Sequence, residues 1–77
     1  MPTIYRKSGC RFYFFSHVPN EPPVVHIDKG DATIKGWLAS VEVAKSRGFR
    51  AQEISGMLET VSAHQVMFTE KWHEYFG

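Results

Sequence analysis

A glycine followed by an aspartate, Gly30-Asp31, set between two stretches rich in β-branched residues, constrains this chain more than any other feature. A two-residue loop of that composition closes a β-hairpin. Residues 24–28 read Val-Val-His-Ile-Asp, and residues 32–38 read Ala-Thr-Ile-Lys-Gly-Trp-Leu. With Gly30 and Asp31 as the loop, Lys29 faces Ala32, Ile27 faces Ile34, His26 faces Lys35 and Val24 faces Trp37. Successive side chains along a strand point to opposite sides. One face therefore carries Val25, Ile27, Ile34 and Leu38. The other carries His26, Asp28, Thr33, Lys35 and Trp37, the densest polar chemistry in the chain.

Around this hairpin the chain has little else to hold it together. It has 77 residues, 43% apolar and 22% charged, the profile of one ordinary globular domain over residues 1–77. A domain of this size buries only roughly 60% of the surface its unfolded chain exposes. Cys10 is the only cysteine, which excludes an internal disulfide, and no Cys/His spacing marks a zinc site. A protein partner or a homo-oligomer is therefore expected, with no metal and no small-molecule cofactor. The net charge of +1 excludes a strong bulk pull toward nucleic acid. The small basic excess lies with the expected strands: residues 1–40 hold five Lys/Arg against three Asp/Glu, and residues 41–77 four against five. Residues 1–16 mix basic and aromatic residues without an apolar run, and no stretch approaches the ~18 apolar residues of a membrane span. The expectation is a cytoplasmic chain with no membrane association.

Taken in order, residues 2–6 form a short candidate strand, residues 7–9 a turn, and residues 11–16 a second strand of high β-propensity. Phe12 and Phe14 share one side of it, while Tyr13 and Phe15 share the other. Residues 17–23 include Pro19, Pro22 and Pro23 and read as a loop, because proline cannot donate to a ladder. Past the hairpin, Ser40 is a candidate N-cap, residues 41–47 a short helix and Gly48 its stop. Ile54, Leu58, Val61, Gln65, Phe68, Trp72 and Tyr75 then recur at helical steps of three and four. A helix over residues 51–76 would reach roughly 39 Å, against roughly 30 Å for a compact globule of this length. It should break or overhang, with Gly56 and residues 60–64 as its weak points. The expected class is α+β: a four-stranded antiparallel sheet followed by a short helix and a long C-terminal helix, β-β-β-β-α-α.

Several segments together resemble one family. They are M-P-T-I-Y-R at residues 1–6, F-Y-F at 12–14, N-E-P-P at 20–23, V-H-I at 25–27, K-G-W-L at 35–38, R-G-F at 47–49 and W-H-E-Y-F at 72–76. In these the chain is similar to short bacterial proteins grouped as domain of unknown function 4160. The resemblance implies a partner of a neighbouring small protein that often carries a DNA-binding helix, in an arrangement like a toxin–antitoxin pair. One departure stands out. The family usually reads E-P-P-H-x-H, and here Val24 replaces the first histidine, leaving His26. A His-x-His pair on one strand face could hold a metal or divide acid and base roles, and a single histidine cannot.

The candidate catalytic group is His26, Lys35 and Glu21. Histidine titrates near neutral pH, and a lysine beside it can hold a phosphate oxygen or a developing negative charge. That pairing suits metal-independent RNA cleavage by a ribonuclease. It is also what an ordinary solvated sheet face looks like. Arg6, Lys7 and Arg11 can grip phosphates, while Trp37, Tyr5 and Tyr13 offer stacking surfaces for bases. Phe68, Trp72, Tyr75 and Phe76 form an aromatic helix end that either completes the core or docks on a small antitoxin-like protein. Two functions follow: a toxin-like component of a type II toxin–antitoxin module that acts on RNA through the hairpin face, or a non-enzymatic module that completes a complex with a regulatory, DNA-binding partner.

Overall fold

The computed structural model describes residues 3–14 and 22–76. Five strands, β1 (Thr3–Lys7), β2 (Cys10–Tyr13), β3 (Val24–Lys29), β4 (Ala32–Trp37) and β5 (Glu42–Arg47), precede two helices, α1 (Ala51–Ala63) and α2 (Gln65–Phe76). The strands form one antiparallel sheet in sequence order. The α+β class stands, but the sheet has five strands rather than four, and the short helix expected over residues 41–47 is β5.

Turn chemistry sets the meander. The β1–β2 loop is Ser8-Gly9, both at positive φ (52° and 79°), the sign pattern of a type I′ turn. In the β3–β4 loop Gly30 takes positive φ (60°) and Asp31 does not, the pattern of type II′. The hairpin register is the expected one: Val24 opposite Trp37, His26 opposite Lys35, Ile27 opposite Ile34, Lys29 opposite Ala32. Both edge strands carry a register shift, at Thr3/Tyr5 in β1 and opposite Lys35/Gly36 in β5. Such bulges twist an edge and make it a poor template for pairing with another chain.

The inner sheet face and the helices share one core. Phe12, Val25, Ile27 and Ile34 from the strands meet Val61, Phe68 and Trp72 from the helices, with Cys10, Phe14 and Leu38 completing the cluster. Fully burying a side chain of this size stabilises by about 1.5–3 kcal/mol, so these few residues dominate the fold. Val41, which precedes β5, holds φ 54° despite its branched side chain. That conformation costs on the order of 1–3 kcal/mol, offset by packing of the same side chain against the core.

The helical stretch breaks where length demands it. The longest dimension of the molecule is 33 Å, shorter than one continuous helix. The break falls at His64 (φ −112°, ψ 16°). Thr60 bonds back to the Gly56 carbonyl at 3.1 Å, a contact that bends helices. The Gln65 side-chain amide donates to the Leu38 and Ala39 carbonyls at 2.7 and 2.9 Å, pinning the start of α2 to the β4–β5 turn. At the start of α1, Glu53 accepts from the Arg50 amide at 2.9 Å. The guanidinium has no acceptor to answer with, so only half of a capping box forms.

Candidate nucleic-acid interface

The helices occupy one side of the sheet, and the registers lay the outward side chains of the other side in a grid. One row runs Arg6, Arg11, Asp28, Thr33, Arg47 from β1 to β5. The next runs Thr3, Tyr13, His26, Lys35, Lys45. A shorter third row holds Val24, Trp37 and Glu42. Arg6, Arg11, Lys35, Lys45 and Arg47 are five of the chain's nine lysines and arginines. The helices carry Glu53, Glu59, Glu70 and Glu74 against Lys71. The near-zero net charge thus conceals two layers of opposite sign.

Contacts within the grid orient its members. The Arg11 guanidinium lies 4.4 Å from the Tyr13 ring centre and donates to the Thr3 hydroxyl at 2.8 Å. Tyr13 stacks on His26, with centroids 5.4 Å apart and planes 24° off parallel. The Lys35 ammonium stands 5.4 Å from the Trp37 ring centre. The Tyr13 hydroxyl donates to Asp28 Oδ2 at 2.9 Å. Partial burial raises the Tyr13 phenol above its ordinary value, and the hydrogen bond and negative charge of Asp28 add to the rise, with Arg11 opposing it. The other Asp28 oxygen is buried and has no hydrogen-bond partner among the described residues. Between β4 and β5, His26, Thr33, Lys35, Lys45 and Arg47 line a shallow groove.

The expected site residues divide among these positions. His26 and Lys35 are direct neighbours on the outer face, as the hairpin register required. Trp37 and Arg11 share that face, as does Arg6 opposite Arg11. Lys7 does not. It pairs with Cys10, one step on from Arg6, and so turns to the helix side, where it lines a groove with Met57 and His64. Tyr5 faces inward too, packing on Phe12, His64 and Phe68 with centroids 5.5, 4.6 and 5.9 Å away, so it offers no platform for a base. Glu21 lies outside the described residues, as do Phe15 and Ser16 of the expected second strand. Of the aromatic helix end, Phe68 is fully buried and Trp72 nearly so. Both belong to the core, because steps of four from Phe68 through Trp72 to the half-buried Phe76 follow the face that α2 turns to the sheet. Tyr75 alone of the four is exposed. Cys10 is buried.

Lys45 and Arg47 are not among the expected site residues because the sequence predicts a helix over residues 41–47, where the structure has β5. Their signal was the spacing of two along Lys45-Ser46-Arg47 before Gly48, which puts both cations on one strand face. Among the described residues, no group of three or more His, Cys, Asp or Glu side chains is placed to share a metal ion, and no helix is long and apolar enough to cross a membrane.

These features define a small antiparallel sheet backed on one side by helices, with an opposite face that is basic and aromatic. The sequence profile of the family described as Domain of unknown function (DUF4160) matches residues 9–73, and the chain belongs to that family. No curated protein and no solved structure matches it.

Proposed function

We propose that this chain binds single-stranded RNA on the outer sheet face and acts there as the toxin-like component of a bacterial two-gene module in the cytoplasm. The observation that carries this reading is the grid itself. Five cations and the aromatic groups Tyr13, His26 and Trp37 share one surface with only Asp28 and Glu42 as acids among them, while the helices carry four glutamates against Lys71. Cations engage backbone phosphates and aromatic rings take bases, the combination by which sheet surfaces bind single strands. Trp37 is the stacking platform. The Tyr13 ring already lies against Arg11 and His26, so Tyr13 serves to position His26.

Chemistry on bound RNA follows from the neighbouring His26 and Lys35. His26 takes the proton from a 2′-hydroxyl, and that oxygen bonds to the adjacent phosphorus as the bond from phosphorus to the 5′ oxygen breaks. The leaving oxygen takes a proton from water, and His26 returns its own to solvent. The Lys35 ammonium stabilises the negative charge that builds on the phosphoryl oxygens. The products are a 2′,3′-cyclic phosphate and a 5′-hydroxyl. The test is bacterial growth after inducing the wild-type chain or His26→Ala at equal level. Arrest by the wild type alone, together with RNA cleavage in vitro that survives a chelator, is the expected result. Equal growth in both cultures would remove catalysis from the account.

One observation favours a second reading. Val66, Met67 and Tyr75 leave apolar surface exposed on α2. A non-enzymatic module that completes a complex with a regulatory partner would use this surface, and stable complex formation without RNA turnover would select it.

A further inference from the structure

We propose that the groove between the β1–β2 turn and α1 binds a small zwitterion with an apolar body, an apolar amino acid or a dipeptide of such residues. The site lies on the helix side of the sheet, and it stands whether or not the outer face binds RNA.

The cavity has the size and the floor of a ligand site. Its volume is about 530 Å³, within the roughly 300–1,000 Å³ typical of ligand pockets. The fully buried Phe12 and the half-buried Met57 give it an apolar floor. A glycine opens it. Gly56, Glu59 and Thr60 line the cavity from α1, and steps of three and four place them on one face of the helix. Glycine weakens a helix interior, and here neither backbone nor packing requires it. Its φ is not positive, and a Cβ at Gly56 would meet nothing within 4 Å. What the missing side chain leaves is the open space of the groove.

The two walls of the cavity differ in sign. On the strand side, Lys7 contributes an ammonium and Ser8 a hydroxyl, both donors. On the helix side, Glu59 contributes a carboxylate. The last turn of α1 adds the negative end of the helix dipole, with no basic residue there to answer it. His64 supplies a further acceptor on this side. Its Nδ1 lies 2.9 Å from the Thr60 carbonyl. That oxygen can only accept, so Nδ1 carries the proton and Nε2 of the neutral ring is an acceptor. Tyr5 and Phe68 hold the ring, with centroids 4.6 and 5.7 Å away. Lys7 and Glu59 do not pair with each other across the cavity. A simple anion would meet Glu59, and a simple cation would meet Lys7. A ligand with a carboxylate at one end and an ammonium at the other satisfies both walls, and its side chain rests on Phe12 and Met57.

Amide spectra of the full chain read the binding. Titration with L-leucine and with L-leucyl-L-leucine is expected to shift the amides of Ser8, Met57, Glu59 and His64 saturably, and the tighter of the two fixes the length of the ligand. N-acetyl-L-leucine lacks the ammonium and L-leucinamide lacks the carboxylate. Each is expected to bind at least about tenfold more weakly than L-leucine, the loss of one charged hydrogen bond. Lys7 and Glu59 are exposed, so their substitution retains the fold. Lys7→Gln is expected to erase the difference between L-leucine and its amide, and Glu59→Gln the difference between L-leucine and its acetylated form. Gly56→Leu is expected to abolish the shifts while raising the denaturant midpoint, because leucine is the better helix former and fills open space. No localised shift with either zwitterion, equal binding of the two capped compounds, or undiminished binding in Gly56→Leu overturns the site.

Discussion

At the scale of single residues, the organising contact is the one between Tyr13 and Asp28. It joins β2 to β3 along a diagonal, since Tyr13 pairs with His26 and Asp28 with Arg11. Diagonal neighbours lie about 7–8 Å apart, within reach of an aromatic side chain. The sign of its pH dependence follows from the raised phenol. The folded state holds the Tyr13 proton above the ordinary value of 10.0, where the unfolded chain has begun to lose it. The contribution is fully present below that pH and is lost as pH rises through the folded-state value. In an absorbance titration one phenolate therefore forms later than in a free tyrosine. Asp28→Asn should shift that step toward 10, because charge and hydrogen bond both weaken, and Tyr13→Phe should abolish it. A late step that persists in Tyr13→Phe would contradict the assignment. Residue-level legibility was uneven for a physical reason. His26 and Lys35 are joined through a two-residue turn that fixes register, so their adjacency could be read directly from Gly30-Asp31. Between Tyr13 and Asp28 the sequence names no two-residue turn that would set a register, so their contact could not be read.

At the scale of elements, β5 and the helix break show where local and tertiary preferences part. Glu42, Ala44, Lys45 and Arg47 are good helix formers, and Gly48 follows as a helix stop would. Pairing with β4 overrides that preference. The charged residues suit an edge strand, where lysine guards against pairing with another chain. Gly48 is needed for a different reason than helix termination. It sits at φ 84°, and a Cβ there would lie 3.0 Å from both the Cα and the Cβ of Ala32. Gly48→Ala thus meets backbone strain and a contact with little room to yield, and is expected to destabilise the domain by about 1–3 kcal/mol, read from a denaturant midpoint. A variant as stable as wild type would show that β5 does not turn as described. Length alone, by contrast, was enough to predict that a helix over residues 51–76 breaks or overhangs, and the structure shows the break, at His64. Within α2 the step of four from Trp72 turns Phe76 to the core and the step of three leaves Tyr75 exposed, a choice between neighbouring positions that a helical pattern of threes and fours does not decide.

At the scale of the whole molecule, the proposed RNA binding rests on the separation of charge between layers. A chain of net charge +1 would attract RNA weakly if its charges were mixed. Five cations against Asp28 and Glu42 on the outer sheet face, and four glutamates against Lys71 on the helices, give the outer side a positive local field of the kind that would steer phosphates in the proposed binding. The hairpin register puts Lys35 and Trp37 on that face from sequence alone, whereas Arg6, Lys7 and Arg11 are named there only as residues flanking a turn. Alternation sends Arg6 and Arg11 outward and Lys7 to the helix side, and Lys45 and Arg47 go unnamed because residues 41–47 read as a helix. The measurement that tests the central claim most directly is the affinity of the wild-type chain for a short single-stranded RNA across a range of salt, with Trp37→Ala beside it. Contacts from the five outer-face cations to as many phosphates predict a slope of about −3.5 in log affinity against log salt. Loss of the Trp37 stack predicts a weakening of about 5- to 150-fold at unchanged slope. Binding that ignores salt, or that is indifferent to Trp37→Ala, would contradict the outer sheet face as the RNA surface.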